Sequence, residues 1–476
     1  MRACVGALLL VLGACGEAPV PHGPVRPQAI RPTDGAGWNG NGYGNVRVRF
    51  YDTPGGHIRI FYTLEGESAV QPRDVEPADG VPDFVNLVAR AADATWESTI
   101  TRRGFRPPLD DSIYHDRDDF GGDGRFDIYL RAVGPGSDGY RVTEVCTEVP
   151  FTCSGYFVMV PRFAPGHYTS DQEGAEVLTS HELFHSIQAA YDARQWPTWS
   201  EGTAVWNQVQ VFPEGGLRDF LGFLPYFLDE PERPFDKSMG TGPGTLYAYG
   251  AALWPQYLGE RFGPDVVREI WEGSRATVRG RSPHFLDVTE QVLSRRGTTL
   301  AEAWLEFTRW NLLTASRADG TRGYRLAARY PSVRMEPTLR GLGERQVRIE
   351  GLSARYLRIE PGLSAPARLR LSLHDDSDTP AVGTAYLQPA GGKPTQERPF
   401  PSGRIDLEVT PSDTILVVVS GVVRGGPAHP VTVRLTEAPA APPASAAGCT
   451  FAPAPGGPPA LLPLVLLLLR RRRRPG

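Results

Sequence analysis

From Val46 onward apolar and polar residues alternate. VRVRFYDT and HIRIFYTLEG read as two strands joined at Pro54-Gly55-Gly56. The period then lengthens. Phe84, Leu87, Val88, Ala91, Ala92 and Trp96 fall on one side of a helix that runs from Phe84 toward Phe105, after a turn at Asp79-Gly80. Phe126-Asp127-Ile128-Tyr129-Leu130 is again strand-like. A second helical stretch follows, with Ala175, Val177, Leu178, Leu183, Phe184, Ile187 and Ala190 at helical spacing and no proline before Pro197. Pro197 and Ser200 signal another helix start, continued by Ala204, Val205 and Trp206. Five more apolar-periodic runs lie between Leu217 and Ser316. From about Tyr324 the texture becomes short alternating runs: QVRIE, ARYLRIE, ARLRLSL, TAYLQ, RIDLEV, TILVVVS and VTVRL. Strands of this length between Gly, Pro and Asp turns predict an antiparallel β-sandwich of the immunoglobulin-like sort. The fold class expected is therefore α+β: strands, then a helical half, then a sandwich.

One stretch of this pattern carries a chemistry. Within the second helix lies His181-Glu182-Leu183-Phe184-His185, an H-E-x-x-H pattern. Residues four apart share a helix face, so His181 and His185 can offer two imidazole nitrogens to one metal ion. Glu182, one residue on from a ligand, is near enough to take a proton from an attacking water without itself binding the metal. A five-residue pattern with two free positions also arises by chance, as a helix carrying two ordinary histidines. A catalytic zinc takes three protein ligands and keeps a position open, so the chain after His185 should supply another donor. The metzincin arrangement is excluded, because its Gly and His positions are here Gln188 and Tyr191. Glu201, sixteen residues after His185 in WPTWSEGTAVW, is the preferred ligand, and Asp192, seven after His185, is the competing one.

HELFHSIQ followed by W-S-E-G-T-A-V-W resembles the gluzincin metallopeptidases, in which a Glu ligand in an E-G-x-A or similar helical context follows H-E-x-x-H. It is most similar to secreted metallopeptidases of myxobacteria. The resemblance implies a zincin-like domain over 42–320, with zinc held by His181, His185 and Glu201 and Glu182 as general base. It also implies an edge strand lining the cleft, which binds an extended peptide or protein substrate by main-chain hydrogen bonds. Gluzincins often place a tyrosine after the Glu ligand to donate to the oxyanion formed at the attacked carbonyl. In GTLYAYG both Tyr247 and Tyr249 are candidates, and ordinary aromatic packing is the alternative for each. Two other functional classes fit the same residues: a zinc hydrolase acting on something other than peptides, and a binding or adhesion protein with an inactive site.

The remaining features bear on location and accessory sites. Met1-Arg2 and the apolar run Ala3–Leu12 form an export segment, and Leu12-Gly13-Ala14-Cys15 resembles a bacterial lipobox with Cys15 acylated; cleavage near Ala14 or Ala18 is the alternative. Residues 16–41 are a Pro- and Gly-rich linker, the sandwich spans 324–437, and 438–447 is an Ala/Pro linker. In 448–476, Gly448-Cys449, an apolar run to Leu469 and Arg470–Arg474 together resemble the sorting tail of myxobacterial surface proteins, with Cys449 as the anchoring position. That apolar run, with Pro463 inside, is well short of the about 20 residues needed to span a bilayer. The chain is expected at the cell surface or outside it, anchored to membrane through its termini and monomeric. Cys146 and Cys153, seven apart, suit a disulfide in an oxidising compartment, with two free thiols as the alternative. Asp119, Asp123 and Asp127 with Gly124 resemble part of a calcium loop, against a plain solvated turn. The formal net charge is −4 and lies lower still without the terminal arginines, so the body presents no basic nucleic-acid face.

Overall fold

In a computed structural model, residues 31–33, 42–110, 120–237, 246–276, 281–400 and 403–439 are described. The expected export segment with Cys15, most of the linker to 41, Asp119, the Ala/Pro stretch from 440 onward and the tail with Cys449 lie outside them.

A mixed five-stranded sheet opens the fold. Strands β1 (Val48–Asp52) and β2 (Ile58–Thr63) form the expected antiparallel hairpin. β3 (Phe126–Leu130) lies parallel to β2, β5 (Cys153–Met159) parallel to β3, and β4 (Gly139–Cys146) returns antiparallel along the outer edge of β5. The central strands FDIYL and CSGYFVM are buried along their whole length, as parallel strands covered on both faces must be. Alternate residues divide between those faces. Ile58, Ile60, Ile128, Leu130, Phe157 and Met159 join the main core, whereas Phe61, Tyr129, Tyr156 and Val158 form a smaller cluster with Tyr43 on the other side.

Helices α1 (Asp83–Trp96) and α2 (Asp171–Ala189) pack on each other and on the sheet. α1 runs without a break into a π-helical stretch, Glu97–Arg102, so the helix expected toward Phe105 continues to Arg102 with a wider last part. The helical half then follows as α3 (Pro197–Val211), α4 (Gly215–Leu228), α5 (Leu246–Gly250), α6 (Leu253–Phe262), α7 (Val266–Ser274), α8 (Phe285–Ser294) and α9 (Leu300–Leu312).

The last part is a sandwich of two sheets. One contains β6 (Leu339–Arg340), β8 (Ala354–Glu360), β10 (Val382–Gln388), β11 (Thr395–Phe400) and β13 (Thr414–Ser420). The other contains β7 (Gly343–Ile349), β9 (Ala367–His374), β12 (Gly403–Val409) and β14 (His429–Glu437). All pairings are antiparallel except β6 with β8. Its own core includes Leu357, Ile359, Leu371, Val417 and Val433. The outward side chains of the β8–β13–β10 sheet, among them Tyr356, Tyr386, Leu416 and Val418, belong to the core of the helical half. Tyr356 donates to the Thr308 carbonyl at 3.0 Å, and the Asp236 carboxylate accepts from the backbone N–H groups of Leu352 and Gly425. The described residues through Glu437 thus belong to one compact α+β unit, in which side chains from beyond residue 320 complete the core of the helical half.

Candidate metal centre

α2 begins at an N-cap, Ser170, whose hydroxyl accepts from the Glu173 N–H, with Asp171 and Glu173 in the first turn. The helix is buried nearly all round, and His181 and Glu182 lie in its interior half. α3 starts on Pro197 at its first turn, a position where the missing N–H costs nothing. Amide side chains fasten the two helices together. Asn207 Nδ2 donates to the Ser180 carbonyl at 2.9 Å, and Gln188 Nε2 donates to the Ser200 carbonyl at 2.7 Å. Gly202 lets α3 approach closely, since a Cβ there would sit 3.1 Å from the Ala251 carbonyl carbon.

This packing turns Glu201 toward the two histidines. His181 Nε2 and His185 Nε2 are 3.0 Å apart, and Glu201 Oε2 lies 3.2 Å from the first and 3.4 Å from the second. Four ligands around an ion at the usual zinc bond lengths are separated by about 3.3 Å, so the three atoms stand as the face of a coordination tetrahedron. Among the described residues His181, His185 and Glu201 are the group able to hold a metal ion. Asp192 is not in it. Its buried carboxylate accepts from the Arg194 N–H and from Gln195 Nε2, just past the end of α2.

Two glutamines orient the imidazoles. His185 Nδ1 lies 2.8 Å from Gln188 Oε1, so the proton sits on Nδ1 and the Nε2 lone pair faces the cluster. Gln188 itself is held by the Ser200 carbonyl and by Thr203 Oγ1 at 3.0 Å. His181 Nδ1 lies 3.1 Å from the terminal amide of Gln208; with the amide turned to present its oxygen, the same tautomer results there. Neither glutamine stands out in the sequence, where Gln188 merely occupies the position that is Gly in the metzincin pattern.

Without an ion the three groups hold one another by charge. Burial alone would lower the pKa of His185, but the Glu201 and Glu182 carboxylates outweigh it and raise the imidazole to about 9. Burial alone would raise Glu201, but the two imidazoles bring it down to about 2.

A cleft of about 280 Å³ opens beside these groups. His181, Glu182 and Tyr249 lie in its wall, together with Gly139 at the start of the edge strand β4 and Phe223 of α4. The two candidate tyrosines separate here. The Tyr249 ring stacks on His181, with centroids 5.7 Å apart and planes 9° from parallel. Tyr247 points away, under the Arg233 guanidinium, with its hydroxyl 3.3 Å from the Arg233 carbonyl. Gly250 makes this register possible, because a Cβ would meet the Phe223 carbonyl oxygen of α4 at 2.6 Å.

The other expected sites lie elsewhere. Cys146 and Cys153 are joined as a disulfide that closes the β4–β5 hairpin. Asp123 and Asp127, expected as calcium ligands, have arginine partners. Asp127 pairs with the buried guanidinium of Arg31, which also holds Glu144 at 2.7 Å, while Asp123 pairs with Arg125 and, at 3.0 Å, with Arg59. Arg31 belongs to the stretch expected as linker, so at least this part of it is packed against the sheet.

No family profile matches the chain, and no curated protein does. Among solved structures, aminopeptidase A of Legionella pneumophila in complex with aspartic acid is similar over 77% of this chain and 36% of its own, at 15% identity and a TM-score of 0.33. The pre-peptidase C-terminal domain of a Bacillus anthracis collagenase is similar over 22% of this chain and 98% of its own, at 11% identity and a TM-score of 0.17. PliG of Aeromonas hydrophila, a periplasmic inhibitor of g-type lysozyme, is similar over 21% of this chain and 94% of its own, at 14% identity and a TM-score of 0.16. Likenesses this slight establish neither fold family nor function.

Proposed function

We propose that the chain is a zinc-dependent, gluzincin-type peptidase with a zincin-like catalytic half, exported and anchored at the cell surface. The observation that carries this reading is the triangle of His181 Nε2, His185 Nε2 and Glu201 Oε2, with Glu182 on the same helix and a cleft beside it. Two neutral imidazoles and a carboxylate, each imidazole with an amide behind it, suit zinc in an open catalytic site. The disulfide accords with an oxidising compartment.

When bound, the ion supplies a Lewis acid at the cleft floor. The chain's own residues do the rest. Among the described residues β4 is the outer strand of the sheet and begins at the cleft with Gly139, so an extended peptide laid along the cleft runs beside this strand's main chain. Glu182 takes a proton from the attacking water and later passes one to the leaving amine. Tyr249, stacked on His181, donates its phenol to the oxyanion as charge develops there. Tyr247 keeps a packing role.

The test compares wild type with Glu182→Gln for zinc content and for cleavage of a mixed peptide library. Zinc is retained, and cleavage falls by about a hundredfold to ten-thousandfold, the range for loss of a general base. Equal cleavage by both proteins removes Glu182 from the mechanism, and no cleavage by wild type holding stoichiometric zinc removes the peptidase reading.

A further inference from the structure

The cleft wall outside the metal ligands holds a carboxylate that neither the fold nor the chemistry above uses. Asp138, Glu173 and Asp219 line the cleft, with Arg218 as the arginine among them. Asp138 is taken up by His167 Nδ1 at 2.7 Å and the Tyr168 hydroxyl at 3.2 Å. Glu173 is taken up by Arg218 and by the N–H and hydroxyl of Thr169, which also commits the Arg218 guanidinium. Asp219 remains. It projects from α4 beside Gln208, whose amide is its hydrogen-bonding neighbour. Burial holds its carboxyl up at about 6, with His181 and His167 as the nearest positive influences and Glu173 opposing them. Asp219 is half-buried in the cleft wall, and a carboxylate so placed, with no arginine or lysine paired to it among the described residues, is stabilised by a cation that arrives with the ligand.

We propose that Asp219 is a specificity-determining residue that receives a positively charged group of the peptide substrate. The surrounding wall fits the body of such a group. Val177, Leu178, Phe223 and Tyr226 are apolar surface against which a methylene chain packs while its charged end reaches the carboxylate. The cation comes from a lysine or arginine side chain, or from a free peptide N-terminus. This inference rests on the peptidase reading for its substrate class, but its central observation, a receiving carboxylate in the cleft, can be measured by binding alone.

Asp219 could instead act only through Gln208, steadying the His181 ring. The two roles have different signatures. A positioning role changes metal affinity and weakens all ligands alike, whereas a recognition role changes the ratio between charged and neutral ligands and leaves zinc content as it was.

The experiment uses the full chain loaded with zinc and carrying Glu182→Gln, so that ligands bind without being cut. Calorimetry compares peptides identical except for lysine against norleucine, each with a free or an acetylated N-terminus. The lysine peptide, or the free-amine peptide, binds about tenfold or more tightly than its neutral partner, as expected for one charge-assisted hydrogen bond. Adding Asp219→Asn abolishes that ratio with zinc content unchanged, and the pair of peptides that shows the ratio identifies the source of the cation. Asp219→Glu restores part of it. Equal binding of charged and neutral peptides by the parent protein overturns the proposal, as does a ratio that survives Asp219→Asn. A uniform loss together with lost zinc assigns Asp219 to positioning and also overturns it. Charge-selective binding in a protein whose wild type cuts no peptide leaves this proposal standing while the peptidase reading falls.

Discussion

Two clusters of ligand-type residues invite comparison: His181, His185 and Glu201 between α2 and α3, and Asp123 with Asp127 where the chain enters β3. Both are local patterns of donor side chains. In the first, the donors face one another at 3.0–3.4 Å with amides behind the imidazoles, and among the described residues no arginine or lysine is paired with Glu201. In the second, guanidinium groups already stand where a cation would, one of them from Arg31, 96 residues away from Asp127 in the chain. A motif supplies donors, but the rest of the fold decides whether their charge is left for an ion.

The sharpest way to break this comparison is to remove one donor from each cluster. Glu201→Ala is expected to lose zinc altogether under dialysis and to abolish cleavage, whereas Asp123→Asn keeps both; metal analysis and the peptide library read the outcome. Zinc retained by Glu201→Ala at wild-type affinity would dismantle the proposed centre. Next in size is Arg31→Ala, which strands Asp127 and Glu144 without their buried partner. Breaking such a pair costs about 3–5 kcal/mol, seen as a lower urea midpoint, with zinc content unchanged. Added calcium should not restore the midpoint; if it does, the carboxylates form a cation site after all.

A smaller effect is expected at Gln188. Gln188→Leu removes the group that fixes the His185 tautomer, and zinc affinity by competition with a chelator should fall by about 10–100-fold while the fold persists. The smallest effect is one of pH on the metal-free protein. His185 is raised above its ordinary value to about 9, so its stabilisation is fully present below pH 6.5 and is lost as pH climbs toward 9. Glu201 is depressed to about 2, so its contribution is present above pH 4.5 and is lost as pH falls toward 2. Thermal melts in chelator should therefore show these groups stabilising most between about pH 4.5 and 6.5. Zinc, competing with the His185 proton, should bind more tightly as pH rises above that window. A melting temperature flat across the range would contradict this coupling.

The contrast also explains what was legible in the sequence. His181, Glu182 and His185 share one helix, so their relation follows from a fixed period. The sandwich was readable from alternation, except for β6, which is only two residues long, and β11, whose segment TQERPF has few apolar residues and a proline, features of an edge strand. Gln188 and Gln208 were not readable, because a glutamine in a helix is unremarkable until its partner across the packing is known. Nor could Tyr247 and Tyr249 be told apart. Two residues along a short helix point in widely different directions, and the register of α5 depends on how closely Gly250 lets it approach α4. Arg31 lay in a Pro- and Gly-rich stretch whose composition says nothing of a single anchored side chain.

The strands after residue 338 share side chains with the helices before them, and Asp236 is tied to backbone on the far side of that seam. Such a region cannot be exchanged as a cassette between proteins, because cutting it away would strip α9 of its cover and leave Tyr356, Leu416 and Val418 without their counterparts. A nick in the link between α9 and β6 should leave both fragments associated until denaturant is added. Whatever else the sandwich does, it is part of the wall against which the helical half packs.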